Sequence, residues 1–208
     1  MKIARMLFPV NNLGPGNRVV IWMAGCKRQC VGCANPELQD ATGIKDISIG
    51  ILRNAILQFV KSAGCNVEGF TITGGEPFEQ PEALMEIIEM CHEYCNDILV
   101  FSGNVRAELA KYEDDIVSNI SVLIDGPYIE AQNNGHPLKG SDNQVVHFID
   151  ESVREKYQKY FSQMNGKNYI ECFSTQDGVV VTGIHKPDFK KEYKKHVKEA
   201  RHKEKEHE

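Results

Sequence analysis

Short apolar runs alternate along this chain with segments of helical periodicity. Of all the features of the sequence, this alternation restricts the possible folds most. The apolar runs span residues 18–23, 70–73, 98–101, 122–124 and 145–149. Between them, helical patterns cover residues 48–63, ended by Gly64, a segment opened by Pro81, and a short stretch near Val105–Lys111. Parallel strands joined by crossover helices produce this alternation, so the sequence predicts an α/β fold with a parallel sheet.

A loop with three cysteines follows the first predicted strand. Cys26, Cys30 and Cys33 have the spacing C-x3-C-x2-C. Each iron of a cubane iron–sulfur cluster takes one thiolate, so three cysteines leave one iron without a protein ligand. An open coordination position is where a metal can bind a reactant. A zinc site is the alternative, and it would need a fourth ligand such as His92 or Cys65 at no characteristic spacing.

A glycine pair ends the second predicted strand, in the sequence Thr-Ile-Thr-Gly-Gly-Glu-Pro over residues 71–77. Gly74 and Gly75 remove side chains where backbone groups could approach a ligand closely. Glu76 supplies an acceptor for an ammonium group, and Pro77 stiffens the turn. This turn is therefore a candidate ligand-binding element.

The candidate residues converge on one edge of the predicted sheet. In parallel α/β folds ligands gather at the carboxyl ends of the strands. The cysteines, Gly74–Pro77, Ser102 and Asp125 all follow predicted strands. Asp125 could equally cap the turn that follows it. We expect Asn143 and Gln144 to order a loop.

Four cysteines and the single tryptophan lie outside these motifs. Cys91 and Cys95 are four residues apart on a predicted helix, where an auxiliary cluster is the alternative to packing. Because free cysteine is commonly buried, we expect both to be buried thiols, and likewise Cys65 and Cys172. Trp22 lies on a predicted buried strand and should belong to the core.

Composition limits the classes of protein open to this chain. Its 208 residues fit one domain, and no apolar run is long enough to span a bilayer. Seven cysteines without an export signal indicate a reducing, cytoplasmic compartment. The net charge of −5 argues against a dedicated nucleic-acid binder.

The C-terminal part departs from this pattern. Tyr169–Phe173 and Val179–Val181, joined by a turn at Gln176–Gly178, predict an appended β-hairpin. Residues 186–208 hold nine basic and six acidic residues, whereas residues 1–185 carry a net charge of −8. The sequence thus predicts a domain over 1–185 and a charged tail over 186–208. A solvated or frayed helix is expected there, with a docking arm for an acidic partner as the alternative.

Together, the cysteine loop and the Gly74–Pro77 turn resemble the radical S-adenosylmethionine superfamily. In that superfamily the open iron binds the amino and carboxylate groups of S-adenosylmethionine. An electron from the reduced cluster then releases methionine and a 5′-deoxyadenosyl radical, which abstracts a hydrogen atom. The resemblance implies a partial (β/α) barrel, iron ligation by Cys26, Cys30 and Cys33, and binding of the methionine moiety by Gly74–Pro77.

Further elements resemble the small activating enzymes of anaerobic ribonucleotide reductase. They cover roughly residues 10–150. The matching elements are Gly14–Val20, Gly32–Asn35, Val122–Tyr128 and Gly140–Gln144. The chain differs from those activases at Leu13, where they have an acidic residue, and at Ser102–Asn104, where they have a Thr-Gly-Tyr-like turn.

This second resemblance implies an activase that generates a glycyl radical on a partner enzyme, with a flavodoxin- or ferredoxin-type reductant. Asn35 joins Ser102 and Asp125 as a cofactor-binding candidate. No residue is needed as a conventional catalytic acid or base, because the cofactor carries the chemistry. The alternatives are radical modification of a peptide or small molecule, and a non-catalytic iron–sulfur or zinc module. No nucleic acid or membrane partner is expected.

Overall fold

The computed structural model describes residues 1–164, 169–175, 178–189, 191–193 and 195. A six-stranded sheet with the order β1-β2-β3-β4-β5-β6 is its main element, beside a two-stranded sheet of β7 and β8. The strands are β1 (Ile3–Val10), β2 (Arg18–Met23), β3 (Gly69–Gly74), β4 (Ile98–Phe101), β5 (Val122–Asp125), β6 (Val145–Phe148), β7 (Glu171–Thr175) and β8 (Gly178–Thr182). The α-helices are α1 (Ile49–Ala63), α2 (Pro81–His92) and α3 (Arg154–Met164).

The centre of the main sheet is parallel and its two edges are antiparallel. Strands β2 to β5 pair in parallel, as the sequence predicts. The expectation of a fifth parallel strand is wrong, because β6 pairs antiparallel with β5. No crossover helix separates these two strands, so the loop over residues 126–144 stays at the carboxyl edge of the parallel strands. Strand β1, which the sequence pattern did not indicate, pairs antiparallel with β2.

Helices α1 and α2 cover one face of the sheet. Alternate side chains of β2, Val19, Ile21 and Met23, pack in the core cluster that also includes the buried residues of both helices. The Ser48 side chain accepts a hydrogen bond from the Ile51 backbone N–H and caps α1. Gly64 ends the helix in the left-handed region at φ 65°, as predicted.

The other face is covered by segments that follow β6. Val20 and Trp22 belong to a cluster against which Phe173 and Ile184, from the hairpin region, pack. Trp22 is 4% exposed, so its predicted place in the core is confirmed. Towards β5, the aromatic side chains of α3 supply the cover. That second cluster contains Leu99, Val122, Ile124, Leu138, Tyr157 and Tyr160.

A buried charge network fastens α3 to the sheet. Arg18 of β2 is fully buried and lies 3.1 Å from the carboxylate of Asp97. That carboxylate also accepts hydrogen bonds from the Tyr157 hydroxyl (2.8 Å) and the Lys156 ammonium (2.6 Å). Burial alone would raise the pKa of Asp97, but Arg18 and Lys156 hold that pKa below its usual value.

The predicted hairpin is confirmed and is latched to the start of the chain. β7 pairs antiparallel with β8, while Gln176 and Asp177 of the predicted turn lie outside the described residues. The Asn12 side-chain amide donates to the carbonyls of Thr182 (2.9 Å) and Tyr169 (3.1 Å). Most of the predicted tail, 186–208, also lies outside the described residues, so its character remains a prediction.

Candidate functional site

The cysteine loop leaves β2 at the carboxyl edge of the sheet and is fixed by its own backbone. The Cys26 N–H donates to the Gln39 carbonyl (3.0 Å), and the Cys33 N–H donates to the Cys30 carbonyl (3.2 Å). None of the three cysteines forms a disulfide, and all three are partly buried. Burial raises the pKa of the Cys26 thiol, although a hydrogen bond from the Arg28 backbone opposes the shift. The sheet thus presents three thiols on one short loop.

The donor set of this loop suits an iron–sulfur cluster. Thiolate is the ligand that such clusters take, and each cysteine holds a different iron, so the thiols need not converge on one point. Consistently, no three His, Cys, Asp or Glu side chains in the described part of the chain are grouped to hold one metal ion. His92 is the last residue of α2 and Cys65 follows α1, so both lie at the opposite edge of the sheet from the loop. The zinc alternative therefore lacks its proposed fourth ligands.

The glycine pair brings the end of β3 against the start of the cysteine loop. The Gly75 N–H donates to the Met23 carbonyl (2.7 Å), and the Glu76 N–H donates to the Gly25 carbonyl (2.8 Å). A Cβ atom on Gly75 would lie 2.2 Å from the Gly25 oxygen, and one on Gly74 would lie 2.4 Å from the Met23 oxygen. Glycine is needed here for backbone contact between two loops, a reason that the sequence alone did not supply.

Glu76 is buried and its carboxylate is held by protein donors. It accepts hydrogen bonds from the Gly103 N–H (2.7 Å), the Ser102 hydroxyl (2.9 Å) and the Phe78 N–H (3.2 Å). Arg28 of the cysteine loop places its Nε 3.8 Å from the same carboxylate and donates to the Asn104 side chain. Burial raises the pKa of Glu76, and the hydrogen bonds and Arg28 oppose that shift. Glu76 thus connects three loops of the site.

A cavity of about 240 Å³ opens beside these loops. Five predicted site residues line it, and they come from the cysteine loop, the end of β3 and the turn after β4. These residues are Cys33, Asn35, Gly74, Gly75 and Ser102. Loops after three neighbouring parallel strands therefore meet at one cavity, as the convergence argument predicted.

The other predicted residues lie around this cavity without lining it. The Glu76 carboxylate borders a second, more open cleft with Arg28. Pro77 is buried at the start of a 3-10 helix, Pro77–Glu79. Asp125 is buried, accepts the backbone N–H of Arg106 and lies 2.9 Å from Nε2 of His147. Cys26 and Cys30 complete this group of surrounding residues.

The loop between β5 and β6 supplies lining residues that the sequence analysis did not single out. Tyr128, Glu130 and Asn133 face the cavity. A Cβ atom on Gly32 would lie 2.5 Å from Oε1 of Glu130, so this carboxylate covers the cysteine loop. Tyr128 belongs to Val122–Tyr128, one of the elements that resemble the reductase activases. That resemblance was the one signal in the sequence that could have identified Tyr128 as a site residue.

Asn143 and Gln144 order this same loop, as predicted. The Asn143 amide donates to the Pro127 carbonyl (2.8 Å), and the Gln144 amide donates to the Gly126 carbonyl (2.8 Å). The Gln144 side-chain oxygen accepts the Gly140 N–H (2.7 Å). These bonds hold the turn after β5 in place, and Gln144 also lines the cavity.

The last wall of the cavity comes from residues 183–187, immediately after β8. The Asn133 side chain donates to the His185 carbonyl (2.7 Å), which ties this segment to the loop after β5. Gly183 has φ 112°, and a Cβ atom there would lie 2.5 Å from the Tyr169 oxygen. No periodic pattern marks this wall in the sequence, because it depends on where the hairpin packs.

The cysteines outside the loop divide into packed and exposed ones. Cys91 is fully buried, as predicted, and burial raises its pKa well above the ordinary value. Cys65 and Cys95 are partly buried against the same core cluster. The prediction for Cys172 is wrong: it is exposed, because its position on β7 faces away from the sheet that the hairpin covers.

No helix in the described ranges is long and apolar enough to cross a bilayer.

Comparison with known proteins places this geometry in a family. The chain is 28% identical over 139 residues to an anaerobic ribonucleoside-triphosphate reductase-activating protein of Vibrio cholerae, covering 64% of this chain and 89% of that one. The Escherichia coli protein of the same name is 25% identical over 148 residues, covering 68% and 96%. A pyruvate formate-lyase-activating enzyme of Clostridium pasteurianum is 29% identical over 119 residues, covering 55% and 50%.

The family match spans the residues that build the site. The model of a protein family described as a 4Fe-4S single cluster domain matches residues 12–147. These residues include the cysteine loop, the Gly74–Pro77 turn and the loop after β5. The hairpin and the 183–187 wall lie beyond it. This chain belongs to the 4Fe-4S single cluster domain family.

Proposed function

We propose that this protein is an activating enzyme that uses a 4Fe-4S cluster and S-adenosylmethionine to generate a radical on a glycine of a partner protein. One observation carries the proposal: a single cavity is lined by the cysteine loop, through Cys33 and Asn35, and by the glycine pair, Gly74 and Gly75. Family membership and the names of the related activating proteins support it. The partner resembles an anaerobic ribonucleotide reductase.

The three cysteines of the loop would hold the cluster. Cys26, Cys30 and Cys33 supply three thiolates and leave one iron for the amino and carboxylate groups of the bound S-adenosylmethionine. When bound and reduced, the cluster supplies one electron that breaks a carbon–sulfur bond of S-adenosylmethionine, giving methionine and an adenosyl radical that takes a hydrogen atom from the glycine. The chain's own residues position the reactants.

The remaining residues shape the binding cavity. Gly74 and Gly75 present backbone at its wall, with Pro77 fixing the turn that follows. Glu76 orients Ser102 and the adjoining turn through its hydrogen bonds, so we assign it a positioning role beside the cofactor. Asn35 and Ser102 line the cavity, and their direct contact with the cofactor is part of the proposal.

Asp125 acts from behind the cavity in this proposal. Its carboxylate accepts a hydrogen bond from the Arg106 backbone N–H, which fixes the end of β5. Gly126, the next residue, lines the cavity. Asp125 would therefore support the cofactor pocket through the position of Gly126.

Several wider features belong to the same proposal. The proposed architecture is a partial (β/α) barrel of the radical S-adenosylmethionine type, and the mostly parallel six-stranded sheet supports it. The domain extends over residues 1–185 with a charged tail over 186–208, and the protein works in the cytoplasm with a flavodoxin- or ferredoxin-type reductant. Nucleic acid and membrane play no part in this reaction.

Anaerobic reconstitution followed by electron paramagnetic resonance tests the proposal. The protein should hold about four irons per chain, and S-adenosylmethionine should change the spectrum of the dithionite-reduced cluster, because it binds the open iron. Methionine and 5′-deoxyadenosine should accumulate. An unchanged spectrum would instead identify an electron carrier. A changed spectrum without a glycyl radical on a partner protein would favour modification of a peptide or small molecule.

A further inference from the structure

An aromatic row leads away from the mouth of the cavity. We define it as His185, Phe189 and Tyr193, which follow one another at intervals of four residues. The His185 ring lines the cavity and stacks on Phe189 with centroids 4.4 Å apart and planes at 20°. The Phe189 and Tyr193 centroids are 5.8 Å apart. Because each ring contacts the next, the three rings form a continuous surface.

The inner end of this row is firmly attached to the rest of the protein. Asn133 holds the His185 carbonyl, and Ile184 packs against the cluster that contains Trp22. The outer end is open to solvent, since Tyr193 is 38% exposed. The row therefore connects a fixed position inside the cavity with an accessible surface outside it.

In sequence, the segment that carries the row has a net charge opposite in sign to that of residues 1–185. Lys186, Lys191 and Lys195 are exposed on the segment that carries the rings. Residues 186–208 have a net charge of +3, whereas residues 1–185 have −8. Asp188 and Glu192 lie on the same segment, so the basic excess is moderate. This surface favours an acidic ligand, and the body of the protein repels one.

We propose that the aromatic row and its flanking lysines form the docking surface for an acidic segment of the partner protein, which carries the reactive glycine into the cavity. This inference rests on the proposed function and adds to it the site and the chemistry of partner recognition. The row begins at His185 in the cavity wall, so a segment bound along it would reach the cavity without crossing other surface. The 12–147 family match does not include this surface.

Peptide binding to the reconstituted, cluster-containing protein tests this inference. The probes are two fluorescein-labelled synthetic peptides with the same central glycine, one flanked by glutamates and one by lysines. Fluorescence anisotropy should show that the glutamate peptide binds and that its affinity falls as salt is added, because the attraction between exposed charges is screened. The lysine peptide should bind at least tenfold more weakly. Equal or tighter binding of the lysine peptide would overturn the proposal.

Two variants test whether the peptide binds to the aromatic row or to another part of the protein. The double variant Phe189→Ala/Tyr193→Ala should weaken binding of the glutamate peptide about tenfold or more, with iron content and thermal unfolding unchanged. Tyr169→Ala is the matched control, since Tyr169 is 53% exposed and lies outside the row. Wild-type affinity in the double variant would refute the docking surface.

The two proposals can fail separately. If S-adenosylmethionine leaves the electron paramagnetic resonance spectrum of the cluster unchanged, the proposed function fails. If the spectrum changes but the glutamate peptide does not bind, only the docking surface is refuted. Charge reversal by Lys191→Glu, at an exposed position outside the cavity wall, should reduce glutamate-peptide binding and leave that spectral change intact.

Discussion

The two parts of the chain that meet at the cavity are built in different ways. Within residues 12–147, backbone contacts fix the site: the Gly75 and Glu76 N–H groups bond to carbonyls beside the cysteine loop. The wall over residues 183–187 is instead held by side chains, through Asn12 on the hairpin and Asn133 on His185. The first part lies in the family match and the second lies beyond it. The loops that carry the predicted cofactor-binding residues thus contact one another directly through their backbones, whereas the 183–187 wall is tied to the rest of the protein through two asparagine side chains.

Removing a loop cysteine should have the largest effect. Cys30→Ala takes away one of three thiolates, so we expect iron content well below about four per chain and loss of S-adenosylmethionine cleavage. Iron analysis and product chromatography measure both. Cys172→Ala, on the exposed hairpin, is the control and should match the wild type. If Cys30→Ala cleaved S-adenosylmethionine at the wild-type rate, the cofactor chemistry could not be assigned to residues 12–147 in preference to the 183–187 wall.

Breaking the charge network that fastens α3 to the sheet should have the next largest effect. Asp97→Asn leaves the Arg18 guanidinium buried without its counter-charge, which should lower the free energy of unfolding by about 3–5 kcal/mol. Urea denaturation measures this difference. Asp115→Asn, at an exposed position, should change it by no more than about 0.5 kcal/mol.

The same network predicts a dependence on pH. The folded pKa of Asp97 is lowered, so its contribution to stability is complete above the unfolded pKa of an aspartate and is lost as the pH falls through the folded value. The stabilities of wild type and Asp97→Asn should therefore converge in acid. A constant difference across the acidic range would show that Asp97 does not titrate as the network requires.

Glu76→Gln should act on cofactor binding and leave iron content unchanged. An amide places an NH₂ group where the carboxylate accepts from Ser102 and Gly103, so the turn after β4 should shift. Loss of charge-assisted hydrogen bonds costs about 1.5–3 kcal/mol, equivalent to roughly tenfold to a hundredfold weaker S-adenosylmethionine binding. Equilibrium binding measures it, with exposed Glu86→Gln as control. Unchanged affinity would contradict the positioning role.

The smallest effect is expected from removing the Asn12 side chain, which holds the hairpin region to the start of the chain. Asn12→Ala removes the amide that holds two hairpin carbonyls, at a local cost of about 1–3 kcal/mol. Hydrogen exchange should accelerate in β7 and β8 and stay unchanged in β3 and β4. Asn11→Ala, exposed beside it, should alter exchange less. Equal acceleration in both sheets would show that the hairpin and the core unfold together.

The parallel centre of the fold could be predicted because strands that are buried on both faces appear in the sequence as apolar runs. β2 is buried at all six positions, and after Arg18 it appears as an uninterrupted apolar run. β1 lies at an edge and is mostly half-buried, with Arg5 among its residues, so it gave no comparable signal. α3 has only Tyr157 and Tyr160 fully buried, too few residues to produce a clear helical pattern.

The site was predictable where local spacing determines it, as in the cysteine loop and the Gly74–Pro77 turn. It was not predictable where contacts join distant parts of the chain. His185 reaches the cavity only because the hairpin packs on Trp22 and Asn133 holds its carbonyl. The destination of the Glu76 carboxylate likewise depends on a turn 26 residues away in sequence. Neither contact has a periodic or motif signal.

Arg28 links the cysteine loop to the turn after β4. It lies between Cys26 and Cys30, yet its side chain reaches the Glu76 carboxylate and Asn104 beyond β4. If iron binding changes the conformation of this loop, we expect the change to reach Glu76 through this contact. A partly loaded preparation should thus behave as a mixture of two kinds of molecule. The number of S-adenosylmethionine sites titrated in it would scale with iron content, while protein concentration would overcount them.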